Sequence, residues 1–535
     1  MGPVVGSSLG GDIADCFVED WFATRAQHVL GASYDSEVQT AWVFGDQLNR
    51  NLGALRQATP GSTRVLLVES RAKLRSKRWH QQRAHLVVAS MRRFAEELRA
   101  EGFAVDERRA ASLAEGLRAH RAEFSPSAVV AMEPASWDGL ALLQREGVDV
   151  VASEQFLCSR DEFAAWAGER KQLTMETFYR WQRRRLGYLM DGDQPAGGRW
   201  NFDHDNRKPP PRGAHDWPEP VVHELDDLDR AVMADLRATC GDRLWGEPPS
   251  GIWATSRAEA LRRLDHAVVE VLPRFGPHED AMVSTSWHLA HTLLSPYLNL
   301  GLLEPAEVCD AVESAYRAGD VPLASAEGLI RQIIGWREYV RGLYSLWMPE
   351  YRAENALGAE RALPPLFITG RSEMRCVQHT LGDVAAYGWT HHIQRLMVLG
   401  NLCLLSGVRP SELVEWMWAG FVDGAEWVML PNVIGMALYA DGGRMATKPY
   451  AAGGAYIDRM SDYCKGCRFD RTKRVGPDAC PFTTLYWSFL DTNRERFARN
   501  PRTAQQVRGL DRLGDLDAVR NRAGEVLAAL DAGVL

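Results

Sequence analysis

No run in the sequence approaches the roughly 18 consecutive apolar residues of a membrane span. The first residues, MGPVVGSSLGGDIADC, lack the basic start and apolar middle of a secretory signal, and a cytoplasmic protein is expected. Positive charge is not in excess: 62 Lys+Arg face 70 Asp+Glu, a formal net charge of −8. That balance argues against coating nucleic acid through bulk charge but permits a local basic groove. No GxGxxG follows the first strand-like run, so a dinucleotide fingerprint is missing. Gly/Ser-rich low complexity and short internal repeats are also missing, which excludes a solenoid. What remains is a chain of 535 residues, enough for about three to four domains and for a core that needs no disulfides. Its 18 Trp are many. Most are expected in packing, with electron transfer or stacking on a flat ligand as the alternative.

The first half reads as α/β. Thr40–Phe44, Arg64–Val68, Phe103–Val105, Ala128–Met132 and Val148–Val151 are short apolar runs. Helical stretches alternate with them; over 85–101, Leu86, Val87, Met91, Phe94 and Leu98 recur at helical spacing. Alternation of this kind predicts a parallel sheet with right-handed crossovers, binding ligands beyond the carboxyl ends of its strands. Asp46 and Glu69 stand at two such ends. Residues 169–187 interleave basic residues with Phe178, Tyr179 and Trp181. Phosphate contact and a helix packed through its aromatic stripe explain that segment equally well. From Asp191 to Pro220 the chain is rich in Pro and poor in aliphatics and reads as a connection. Trp200, Asn201, Phe202 and Asp203 suggest that part of it is pinned to a domain. From about Glu224 the pattern is helical. The expected units are an extension over 1–39, an α/β domain over 40–165, a connection over 166–223 and a helical domain over 224–535.

Nine cysteines are present. Most are isolated among apolar neighbours, as in Leu402-Cys403-Leu404, and read as small buried hydrophobes in a reducing compartment. Cys464-Lys465-Gly466-Cys467 differs, because a CxxC turn offers two thiolates to one centre. Cys480-Pro481 follows, and Cys-Pro is common as the last ligand of an iron–sulfur site. Spacing alone leaves iron–sulfur, all-cysteine zinc and a redox CxxC open, and does not name a fourth ligand.

Several segments carry a family resemblance. Residues 284–303 (STSWHLAHTLLSPYLNLGLL) resemble the flavin-binding segment of photolyases and cryptochromes, and 332–341 (QIIGWREYVR) resemble the helix that lies over the flavin. GDQL at 45–48, RWNFD at 199–203, MRC at 374–376, HHIQRLM at 391–397, LPNVIGM at 430–436 and the stretch from KPY at 448 to Cys467 resemble the bacterial iron–sulfur branch, the prokaryotic (6-4) photolyases and related cryptochromes. The resemblance runs from about Val43 to about Leu513.

The resemblance implies a Rossmann-like N-terminal α/β domain joined by a long linker to an all-α FAD-binding domain. It implies a [4Fe-4S] cluster on Cys376, Cys464, Cys467 and Cys480. It implies light-driven repair of a (6-4) pyrimidine lesion flipped out of UV-damaged DNA, by electron transfer from excited reduced FAD, in a bacterial protein acting as a monomer. A damaged pair stacks poorly, so flipping it costs less than flipping a normal base. Repair also needs a proton donor, which suits His. By resemblance His391, His392 and Tyr450 line the lesion pocket. The flavin contacts implied are Ser284, Thr285, Ser286, Leu294, Ser295, Gln332, Trp336, Arg337, Glu338, Asp423, Glu426 and Asn432, with Trp416 as the flavin-proximal relay. Asp46 and Glu69 match the surroundings of a 6,7-dimethyl-8-ribityllumazine antenna. Asp203 and Asp205 face DNA in the family, and Mg²⁺ is expected to screen them. A blue-light photoreceptor with the same cofactors is the alternative.

The chain departs from the pattern in two places. Ile368 stands where the branch reads a relay Trp, and Met417 follows Trp416 where Tyr is common. An alkane side chain is too hard to oxidise to carry a hole, so photoreduction is expected to be slow or routed through Trp336, Trp347, Trp389 or Trp418. Lys73 replaces a further acidic antenna contact.

Overall fold

A computed structural model describes residues 38–211, 213 and 215–535. The extension expected over 1–39 lies almost wholly outside the described residues. Five strands, β1 (Gln39–Val43), β2 (Thr63–Ser70), β3 (Ala104–Ala110), β4 (Val129–Met132) and β5 (Asp149–Val151), form a parallel sheet in the order β3-β2-β1-β4-β5. Each lies where an apolar run predicts it. β3 runs past Phe103–Val105 because its later residues are charged and no apolar run marks them. Paired only with β2, it carries Asp106, Glu107, Arg108 and Arg109, and charge on an edge discourages further pairing.

Alternation along the strands builds two cores. Ala41, Val43, Val65 and Leu67 pack with Leu86, Met91, Phe94 and Leu98 of the helix Gln81–Ala100. Trp42, Leu66, Val68 and Ala131 pack on the other face with Leu117, Leu142 and Leu143. Chain order reverses between β1 and β4, where a crevice is expected at the carboxyl ends. The helical half reaches this place: the Leu48 N–H donates to Leu300 O at 2.8 Å, and Asn49 Nδ2 donates to Gly301 O at 3.1 Å.

The segment expected as a connection is largely structured. A boundary at 165/166 falls inside the helix Arg160–Gly168, and Met175–Leu186 is a helix capped by Thr174 and ended by Gly187 at φ 83°. Phe163, Trp166 and Phe178 are buried with Tyr339, Val340 and Leu343, so the aromatic stripe serves packing and these helices belong with the helical half. The stretch 199–208 is pinned. Phe202 N–H donates to Glu327 (2.9 Å), Asn206 Nδ2 to Ala324 O (3.0 Å) and Lys208 N–H to Pro277 O (3.0 Å). Three wide π-helical turns, Arg331–Arg337, Gln394–Gly400 and Asn432–Ala437, fall on the motifs QIIGWR, QRLM and NVIGM. Such turns are rare and concentrate at functional sites.

Candidate functional site

His391 and His392 sit at the start of the π-helical turn 394–400, held by a hydrogen bond from His391 N–H to Gln394 Oε1 at 3.3 Å. Their environments are opposite. His391 is 1% exposed, neither ring nitrogen has a partner, and it stacks on His291 with centroids 4.7 Å apart and planes 16° apart. Burial, then His291, His392 and Arg395, hold its pKa well below the usual histidine value. The His392 side chain is 48% exposed and its Nε2 lies 3.3 Å from Asp280 Oδ1. Desolvation opposes charge on His392, but the Asp280 hydrogen bond and the charges of Asp280 and Glu279 outweigh it and raise the pKa. One histidine is kept neutral and its neighbour is biased toward imidazolium, the separation that assigns acid and base roles. One nitrogen from each of His291, His391 and His392 lies within 4.8 Å of the others.

Tyr450 faces the same group of charges. It is half-buried, and burial raises its phenol pKa, with Arg207, Asp203, Arg502 and Asp280 as the charges acting on it. The pinned connection brings Arg207 to Asp203 (2.5 Å) and Asp280 (3.5 Å), and Asp203 also meets Arg331 (2.9 Å). Asp205 pairs with Arg199 at 2.6 Å. Arginines thus pair with both Asp203 and Asp205.

The serine turn is tied down. Ser284 donates from N and Oγ to Asp462, both at 2.8 Å, and Ser286 Oγ accepts from Leu289 N at 2.9 Å, while Thr285 is exposed. Leu289 and Leu293 hold φ of 47° and 56°, the left-handed region that β-carbons disfavour, and such strain marks ligand clamps more often than ordinary loops. Leu294 is buried, and Ser295 Oγ donates to Asp423 at 2.8 Å, which meets Arg395 at 2.9 Å. Gln332 donates to the buried Glu279 at 2.8 Å. Ser295, Asp423, Gln332, His391 and His392 are thus linked through Arg395 and Glu279.

Other expected contacts are spent on internal ties. Arg337 pairs with Glu338 (3.0 Å) and donates to Gln155 O (3.2 Å), and Glu338 accepts from Cys158 N (3.0 Å), fastening this helix to the chain leaving β5. Trp336 lies 6.4 Å from Tyr339 in the aromatic cluster. Glu426 accepts from Tyr344 (2.9 Å) and Arg352 (2.8 Å), and Asn432 donates to Val428 O (2.8 Å). Trp416 donates to Phe367 O at 2.9 Å. His291, Glu279, Asp280, Arg395 and Asp462 escape a reading of the sequence. His291, Arg395 and Asp462 lie inside quoted motifs; nothing in the spacing marks Glu279 and Asp280.

The four cysteines Cys376, Cys464, Cys467 and Cys480 line one cavity, with Met374, Ile457, Tyr463, Phe469 and Phe482 around them, and all are free thiols. Gly466 makes the CxxC turn at φ 78°, and a β-carbon on Gly454 would lie 2.9 Å from Cys480 Sγ. Cys480 caps the helix Pro481–Thr492. Burial raises the Cys480 thiol, while the N–H groups of Thr483 and Phe482 favour its thiolate. Burial and then the other three sulfurs push Cys376 well above the usual thiol range; Cys464 is pushed up to about 12 by burial and its neighbours. Such a site suits a bound cation, which replaces the protons.

At the sheet, Asp46 is half-buried and its carboxyl raised by desolvation, against the charges of Lys73 and Arg83. Glu69 accepts a two-pronged bond from Arg92 at 2.7 and 3.0 Å. It lines a cleft with Met91, Glu107, Arg109 and Leu228 that Asp46 does not line.

Residues 41–250 match a family model described as deoxyribodipyrimidine photo-lyase-related protein. A protein of Agrobacterium fabrum named (6-4) photolyase is 40% identical over 507 residues, covering 92% of this chain and 100% of that protein. An uncharacterized protein of Acanthamoeba polyphaga mimivirus, R855, is 31% identical over 101 residues, 19% of this chain and 75% of its own. The crystal structure of a bacterial class III photolyase from Agrobacterium tumefaciens shares the fold, with a TM-score of 0.54 at 16% identity over 94% of this chain and 100% of that one. With four in ten residues shared across nearly its whole length, this chain belongs to the (6-4) photolyase family.

Proposed function

We propose that the protein repairs (6-4) pyrimidine photoproducts in UV-damaged DNA, with light and a reduced flavin. The observation that carries this reading is the histidine pair: His391 buried and neutral, His392 half exposed and biased toward imidazolium by Asp280. A (6-4) lesion must regain a proton and return an oxygen, which calls for a proton donor at the mouth of a pocket. His392 holds the proton at Nε2 beside Asp280. His391 and His291 stack face to face, and Asp280 acts on both His392 and Tyr450.

FAD fits the residues present: the unpartnered ring nitrogens of His391, His291 and Trp389, the strained backbone at Leu289 and Leu293, and the Ser295–Asp423–Arg395 group supply buried donors and acceptors. Bound FAD supplies the light-driven electron. A [4Fe-4S] cluster fits the four thiols. A tetrahedral zinc with Zn–S of about 2.3 Å sets its sulfurs roughly 3.8 Å apart, whereas no three of these cysteines gather their sulfurs within 4.8 Å among the described residues. A ribityllumazine antenna would meet Asp46 and Glu69, of which Glu69 lines the cleft and is tied to Arg92.

The test is repair by chemically reduced protein of a single (6-4) lesion in a defined oligonucleotide under blue light. Light-dependent restoration of the bases, lost in His392→Ala, is the expected result. No repair by protein carrying reduced flavin would move the reading to a photoreceptor.

A further inference from the structure

Trp416 has an indole neighbour that its sequence context does not suggest. The ring of Trp245 lies 6.0 Å from it, inclined by 31°. Trp245 comes from the loop between the helices Asp227–Cys240 and Arg257–His266. It is held by a hydrogen bond from Nε1 to Arg78 O at 2.9 Å and by close approach to Gly420, where a β-carbon would stand 3.1 Å from the ring. It is partly exposed, as an outer electron donor must be. Inward, Trp416 meets Phe421 at 5.8 Å; Arg395 lies over Phe421 at 3.9 Å and binds Asp423. The indole pair therefore runs from the group proposed to hold the flavin to the surface.

We infer that Trp245 is the outer electron donor to Trp416, taking over the task that Ile368 cannot perform. This rests on the proposed flavin chemistry. Three of the other candidate tryptophans are less suited. Trp418 lies under Lys77 at 4.2 Å and Lys73 at 5.7 Å, and Trp347 under Arg444 at 4.3 Å. A cation over an indole makes loss of an electron harder, the reverse of the attraction it has for the neutral ring. Trp389 has Arg395 at 5.8 Å and is buried. Trp245 has His80 edge-on at 4.9 Å instead, a histidine whose pKa burial lowers to about 4.

The electron count is simple. Trp416 would give one electron to a bound, light-excited oxidised flavin and would regain it from Trp245. The Trp245 radical cation keeps its Nε1–H on the Arg78 carbonyl, so no proton has to leave the indole. A thiol in solution returns one electron, its proton goes to water, and two spent thiols join as a disulfide.

The experiment follows light-driven reduction of the oxidised holoprotein with a soluble thiol. Trp245→Phe should lose most of that reduction, while Trp418→Phe retains it. The same Trp245→Phe protein, reduced chemically, should still repair the lesion, which separates failure of this inference from failure of the proposed function. Reduction in Trp245→Phe as fast as in the native protein overturns the inference. A second measurement needs no variant: a nitroso spin trap present during illumination of the native holoprotein should mark Trp245 in peptide mass spectra. Adducts confined to Trp389 or Trp418 overturn it.

Discussion

At the scale of single residues, Asp280 sets the behaviour of His392. Its carboxylate raises the imidazole pKa, so protonated His392 persists to higher pH than a free histidine. The sign follows. Any stability from this pair is fully present below the unfolded histidine pKa and is lost as pH rises through the higher folded one. If His392 is the proton donor, repair falls along the same alkaline limb, and Asp280→Asn should move that limb to lower pH in a pH–rate profile. An unmoved limb would remove His392 from the role. Buried hydroxyls make a second case. Tyr344 OH accepts from Trp137 N at 2.8 Å and donates to Glu426 Oε2 at 2.9 Å, so Tyr344→Phe strips both of that partner, while Glu426 Oε1 keeps Arg352, and should cost about 1–3 kcal/mol in denaturant unfolding. The family resemblance names His391, His392, Tyr450 and Cys376, and spacing marks Cys464, Cys467 and Cys480. Asp280, Glu279 and His291 look like ordinary residues until folding brings them to the pair.

At the scale of elements, the strands are legible because each is an apolar run bounded by turns, while β2 and the charged edge strand β3 run past their apolar stretches. The helix Met175–Leu186 was ambiguous, since an aromatic stripe among arginines describes a packing face and a phosphate-binding face alike. The π-helical turns left no trace in the periodicity, because one extra residue in a turn shifts a pattern without erasing it. Packing of the helix Glu338–Trp347 on Arg160–Gly168 depends on Gly342, where a β-carbon would stand 2.1 Å from the Phe163 ring. Gly342→Ala should destabilise by about 1–3 kcal/mol through overpacking, read as a lower denaturant midpoint. Removal of one cysteine acts on a wider element. Cys464→Ala should lose the visible absorbance of the cluster and lower the melting temperature before any defect in flavin photochemistry appears.

At the scale of the whole molecule, the two halves meet at Arg83, a buried guanidinium from the sheet domain that donates to Phe421 O (3.3 Å) and Val422 O (3.0 Å) beside Asp423. The sequence could not supply this, because it distinguishes domains by composition and says nothing of how they dock. A net charge of −8 also sets an expectation for DNA. Binding through a local set of arginines should still weaken as salt rises, with a log–log slope of about −0.9 for each phosphate contacted. A salt-independent affinity would argue against such a groove. The cysteine site has one more consequence. Cys376 and Cys480 bracket the stretch of chain that holds His391, His392, Trp416, Asp423 and Tyr450, so a cluster bound there closes a loop around most of the proposed chemistry. A cell short of iron would then lose its tolerance to ultraviolet light with its flavin supply intact, and nutrition would govern survival in sunlight.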